Sequence, residues 1–183
     1  KMVWKQSDDK LTIQFCKDSN VVGFGLHFGD GSKDLTVTVP RGWVCDSLEL
    51  DTASTDLTVR DMIIREVEID SASGTAKFEN CTISSLDVDT ASGDVTFTGS
   101  LSELDFDAAS ASFTGVLENV PDRVKMDSMS GDLALTLPED AGFTVSLDAM
   151  SSDFSSDFPT VKKNKSYVCG DGRCKIDVSA MSG

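Results

Sequence analysis

The residues best placed to do chemistry are six aspartates that recur at one position of a repeated segment: Asp51, Asp70, Asp89, Asp107, Asp127 and Asp148. In a parallel stack of strands they would lie about 4.8 Å apart, one per coil. Neighbouring like charges at that distance cost roughly 1 kcal/mol in water and several times more when partly buried. Something has to offset this repulsion. Each aspartate precedes a turn, so its carboxylate can accept backbone N–H groups a few residues on, as in an Asx-turn. That reading is structural, and it predicts depressed carboxylate pKa values. The alternative is a row of calcium ions between coils, since calcium takes six to eight oxygens, carboxylates included. Known calcium-solenoid repeats are shorter and denser in glycine, which favours the structural reading.

Other chemistry finds little support. The one histidine, His27, lies outside the repeats beside Phe28 and reads as a cap or core residue. A Ser-His-Asp triad needs one distinctive serine, yet Ser54, Ser73, Ser92, Ser110, Ser130, Ser151 and Ser182 are equivalent copies. A glycosidase needs two carboxylates with separated pKa values, and these acids are too alike to nominate a pair. There is no phosphate-binding glycine loop. Trp4 and Trp43 could stack on a sugar but read more simply as capping residues. No catalytic residue and no cofactor is therefore assigned. Of the five cysteines, Cys16, Cys45, Cys81, Cys169 and Cys174, the last two flank a short loop and could form a disulfide; free buried thiols are the alternative. No second ligand pair suggests zinc.

The elements that position these residues form a repeat. The segment 86–97, LDVDTASGDVTF, has earlier copies at 48–59 (LELDTASTDLTV) and 67–78 (VEIDSASGTAKF). Later copies are 104–115 (LDFDAASASFTG), 124–135 (VKMDSMSGDLAL) and 145–156 (VSLDAMSSDFSS), and a truncated seventh is 176–183 (IDVSAMSG). The central serines are spaced 19, 19, 18, 20, 21 and 31 residues apart. A period near 20 is the signature of stacked repeats.

Counting from zero, positions 0 and 2 are apolar, as mostly are 9 and 11, while 1, 8 and 10 are mainly polar. This alternation predicts two short strands per repeat. Ser-Gly or Ser with a small residue at positions 6 and 7 marks the corner between them. Position 2 predicts one inward ladder: Leu50, Ile69, Val88, Phe106, Met126 and Leu147. Position 5 is Ala53, Ala72, Ala91 and Ala109, then Met129, Met150 and Met181, and reads as an inward pocket that widens toward the C-terminus. No helical pattern is present, and about 20 residues leave no room for a crossover helix. The expected fold is all-β: a parallel β-solenoid, or single-stranded β-helix, of about seven coils. Residues 1–33 are expected to form an N-terminal β cap, with a strand at 11–15, an apolar stretch at 21–28 and a turn at 29–32. Residues 34–183 form one continuous repeat domain. It starts at 34–40 (DLTVTVP), which matches 132–138 (DLALTLP) type for type.

Composition sets limits on partners. The net charge is −15 and the pI is about 4.2. Nucleic acid is excluded as a partner, because it requires clustered cations against phosphate. An anionic membrane surface is disfavoured for the same reason. The chain begins Lys1-Met2 and reads as a piece of a longer protein, whose missing part would supply any membrane tether.

The pattern apolar-x-apolar-Asp-x-x-Ser-Gly-Asp at 86–97 and 124–135, with LPEDAGF at 137–143, SDFP at 156–159 and the final 176–183, resembles a bacterial family of proposed adhesins. These are β-strand-repeat domains of unknown function. The resemblance covers about residues 34–183 and implies a β-solenoid-like fold with an extracytoplasmic, cell-surface role. It implies no catalytic residues. The expected function is a non-catalytic adhesin, surface-interaction or spacer module contacting a protein or polysaccharide. The alternatives are a self-assembling β-helix scaffold and a polysaccharide-active β-helix enzyme.

Overall fold

The computed structural model describes residues 2–7, 9–15 and 34–182. Cys16, His27, the apolar stretch 21–28 and the turn at 29–32 lie outside the described residues. The chain divides into two compact units, Lys1–Thr38 and Val39–Gly183. In the first, β1 (Met2–Ser7) and β2 (Lys10–Phe15) pair as an antiparallel hairpin.

The second unit is all-β among its described residues. Its strands are β3 (Val44–Ser54), β4 (Leu57–Arg60), β5 (Ile63–Ser73), β6 (Ala76–Ser92), β7 (Val95–Ser110) and β8 (Phe113–Leu117). They continue with β9 (Arg123–Ser130), β10 (Leu133–Thr136), β11 (Phe143–Ser151), β12 (Val161–Lys163), β13 (Ser166–Cys169) and β14 (Cys174–Ser182). Two parallel ladders build a β-solenoid. One joins the first halves of the repeats, Leu48↔Val67↔Leu86↔Leu104↔Val124. The other joins the second halves, Leu57↔Ala76↔Val95↔Phe113↔Leu133. Equivalent positions face each other because a one-residue slip would turn every apolar side chain outward.

About five turns are complete, with a strand in both ladders, rather than the seven coils expected. The sixth repeat has Ser156 where a second strand needs an apolar residue, and its second half leaves the stack. Its Phe154 stacks on Tyr167 at 4.3 Å between ring centres, and the following Phe158 packs edge-on against Phe143 at 5.5 Å. The stretch 34–40 forms no strand either. Its sequence alternates correctly, but no neighbouring strand among the described residues offers its backbone a partner. The stack starts at Val44, and β3 is its outermost strand.

The order of strands also departs from the order of the repeats. β14 lies between β9 and β11: Ile176 pairs with Val124 on one side and Val145 on the other. Beyond β11 the antiparallel pair β13 and β12 closes this end. The inward ladder thus reads Leu50, Ile69, Val88, Phe106, Met126, Val178, Leu147. Ile69, Val88, Phe106 and Met126 are buried, and the two ends are half-buried. Phe78 and Phe97 meet ring to ring as neighbours along the second ladder, and Phe106 and Phe113 meet edge-on across the core.

Candidate functional site

Alternation along the first ladder sends positions 1, 3 and 5 outward. The six aspartates of position 3 therefore form an outward row, in register from Asp51 through Asp70, Asp89 and Asp107 to Asp127. Ser179 of β14 takes the next place, and Asp148 follows it. Beside this row runs position 1, with Glu49, Glu68, Asp87, Asp105, Lys125 and Asp177 in register. Position 5 also points outward, which corrects the expected inward pocket. Ala53, Ala72, Ala91 and Ala109 are exposed, as are the three methionines. A groove of about 1030 Å³ runs across all seven strands, between the aspartates and the Ala/Met row. The threonines Thr58, Thr96 and Thr114 are exposed on the other ladder, away from these acids.

The electrostatics of the face differ from the Asx-turn expectation. Lys125 lies 2.9 Å from Asp105, 3.5 Å from Asp107 and 2.9 Å from Asp127, a single cation bridging three acids. Its hydrogen bonds to Asp105 and Asp127 push its pKa up. Lys125 and Ser179 together hold the Asp127 carboxyl below its ordinary value. Asp107 is raised instead, because burial and the charges of Asp105 and Asp127 outweigh Lys125. Away from that lysine, burial and neighbouring carboxylates raise Asp87, facing Asp105, Asp89 and Asp107. Glu68 is raised for the same reasons, with Asp70, Glu49, Asp87 and Glu66 around it. Lys125 was visible in the sequence as the one cation in an acidic column, but its reach across to Asp105 and Asp107 follows only from the register. Among the described residues no group of three or more His, Cys, Asp or Glu side chains is arranged to hold a metal ion.

These shifts set a pH dependence. A carboxyl whose folded pKa is raised binds its proton more readily in the folded state, so stability rises as pH falls through that value. Asp56, Glu79 and Asp127 are lowered, and their contribution disappears as pH falls through their folded values. The melting temperature is expected to rise on mild acidification, toward the region just above the ordinary values of 3.8 and 4.5. Below them it should fall. A steady decline from neutral pH downward, followed by calorimetry, would contradict this assignment.

The second aspartate of Ser-Gly-Asp has a role the sequence reading missed. Asp56 Oδ1 accepts hydrogen bonds from the backbone N–H and the hydroxyl of Thr75, both at 2.9 Å. Asp94 Oδ1 accepts from the Ser112 N–H at 2.9 Å, and Ser112 Oγ accepts from the Asp132 N–H at 3.2 Å. The column reads Asp56, Thr75, Asp94, Ser112, Asp132, so acid alternates with hydroxyl and no two carboxylates are neighbours. The side chains of Asp56, Asp94 and Ser112 each clasp a corner amide of the next coil that the turn leaves free. Asp94→Ala is expected to destabilise by about 1 kcal/mol. Chemical denaturation checks this, and an unchanged midpoint would remove the clasp.

Cys169 and Cys174 do not bridge. Both are free and buried, and both are the register partners of Phe143, on opposite sides of β11. Two strand spacings separate them by about 10 Å, beyond the reach of a disulfide. Burial pushes the Cys174 thiol up to about 11. Cys45 and Cys81 are likewise free and buried. Trp4 and Trp43 are both exposed.

No curated protein and no solved structure matches the chain. Residues 1–114 and residues 44–183 match the family model described as Toastrack DUF4097. Those matches span the chain from end to end, and their β-repeat character is that of the stack above, so the chain belongs to the Toastrack DUF4097 family of domains of unknown function.

Proposed function

We propose that the solenoid is a non-catalytic contact domain, displayed outside the cytoplasmic membrane as an adhesin or surface-interaction module, with the acidic groove as its contact surface. The observation that carries this reading is the groove's uniformity. It crosses seven strands and repeats nearly the same residue types along them, aspartate on one side at six of the seven, with Ser179 on β14, and alanine or methionine on the other. Catalysis needs converging groups of different kinds, with a distinct acid, base or nucleophile at one point. A row repeating about every 4.8 Å suits an extended chain lying across the strands. Its charge favours a basic protein segment or a cationic polysaccharide over an anionic one. The extracytoplasmic placement rests on the family resemblance, which is an analogy.

The test is binding of the purified chain to arrays of basic peptides, cationic and neutral glycans, and matrix proteins. The expected result is retention of extended basic ligands, weakened by salt and by Asp70→Asn with Asp89→Asn. Among the described residues these two exposed carboxylates make no close ion pair, so the double variant should fold. Binding indifferent to both changes would move the contact surface elsewhere. No binding at all would leave a spacer, and turnover of a polysaccharide would overturn the proposal.

A further inference from the structure

The last three strands of the first ladder bring together three methionines that are far apart in the chain, with β14 in the middle. Ala180 pairs with Ser128 and Ser182 with Ser130, so Met181 lies beside Met129. On the other edge Ala149 pairs with Ala180 and Ser151 with Ser182, so Met181 also lies beside Met150. The outward row therefore ends Met129, Met181, Met150 on three adjacent strands. Their side chains are 59%, 55% and 86% exposed. Packing does not account for them. The first four repeats have alanine at this position, and the longer apolar side chains gain little burial here.

We propose that Met129, Met181 and Met150 form a thioether site for a soft monovalent cation, Cu(I) or Ag(I). The thioether is a soft donor that carries no proton to displace, and such donors select Cu(I) over the hard cations that carboxylates prefer. The geometry allows one ion to be shared. The outer two Cα atoms are two strand spacings, about 9.6 Å, apart. Three sulfurs around one ion at a metal–sulfur distance of about 2.3 Å lie roughly 4 Å from each other. Each outer sulfur then has to lean inward by about 3 Å, within reach of an unbranched side chain with three rotatable bonds. Because the thioethers are neutral, the cation's charge needs an anion nearby. Asp127 and Asp148 sit two residues before Met129 and Met150 on the same outward face, at the end of the acidic row. The insertion of β14 makes Met181 the central donor, with Met129 on one side and Met150 on the other.

The test is a titration of the full chain, labelled with 13C at its methionine methyl groups, with Ag(I) as the redox-inert probe. The expected result is that the methyl resonances of Met129, Met150 and Met181 move together with one shared midpoint, while core Met126 stays in place. Met181→Leu keeps the shape and removes the donor. It should weaken the response of the remaining two at least tenfold. Thiols are the competing soft ligands, so the titration runs to six equivalents, one more than the five cysteines could take. Methyl resonances still unmoved at that point mean uptake by cysteine alone and overturn the proposal. Three separate midpoints mean three independent surface thioethers and overturn it as well. Because the wild-type spectrum decides both outcomes, the test does not depend on any variant folding.

Discussion

Val88→Asp is expected to unfold the solenoid at ambient temperature. Val88 is 1% exposed and stands in the inward ladder between Ile69 and Phe106. Among the described residues the only buried polar residue is Thr90 and no buried side chain is a cation, so the core offers a new carboxylate no partner charge. The group would either stay charged in an apolar column or bind a proton and remain without partners. Both routes are among the costliest single changes, at about 4–5 kcal/mol or more. Domains of this size have only about 5–15 kcal/mol in total. Val88→Ala is the control, removing two methyl groups for about 2 kcal/mol. Circular dichroism melting reads both variants, and a Val88→Asp protein that melts like the parent would refute the stacked core.

The second large effect is at a corner. Gly93 has φ +145°, and a Cβ added there would lie 1.8 Å from the carbonyl oxygen of Gly74 in the adjacent coil. That oxygen is main chain in the tight corner between β5 and β6, held at both ends by paired strands, and cannot swing aside. Gly93→Ala is therefore expected to cost about 1–3 kcal/mol in backbone strain and about 1–3 kcal/mol more in overpacking. Gly42 separates the two contributions. It has φ +74° but nothing within 4 Å of an added Cβ, so Gly42→Ala meets only the backbone cost. Urea midpoints should place Gly93→Ala well below Gly42→Ala. Equal midpoints would mean that the coils part easily at this corner.

Much of the stack was legible in the sequence because each strand has one buried face. Apolar residues at positions 0, 2, 9 and 11 leave a single workable register, and the inward ladder from Ile69 to Met126 follows from it. Strand order was not legible, for the same reason. The segment 176–182 presents the same inward types as any other copy, so alternation cannot say which neighbours it takes. The stretch 34–40 matches 132–138 closely, yet only the latter finds a paired neighbour and becomes a strand. Position 5 was misread because its residues are apolar. The alternation that sends Asp89 outward does the same to Ala91, since β6 runs on through Ser92. At the site, the aspartate row was evident from spacing. Lys125 reaching across to Asp105 and Asp107 was not, because residues 20 and 18 apart meet only once the register is known.

The position of β14 also governs when this end of the molecule can form. A chain emerging from the ribosome can lay each of the five turns on the one before it, closing loops of 18 to 20 residues as it goes. Growth of that kind is local and fast. β11 cannot join in the same way, because the place beside β9 belongs to a strand whose matching residue follows 31 positions later. Until that strand is synthesised, β11, β12 and β13 have no lasting attachment to the finished turns. The last step of folding is thus an insertion between two existing edges, made once, by the segment that leaves the ribosome after all the others described here.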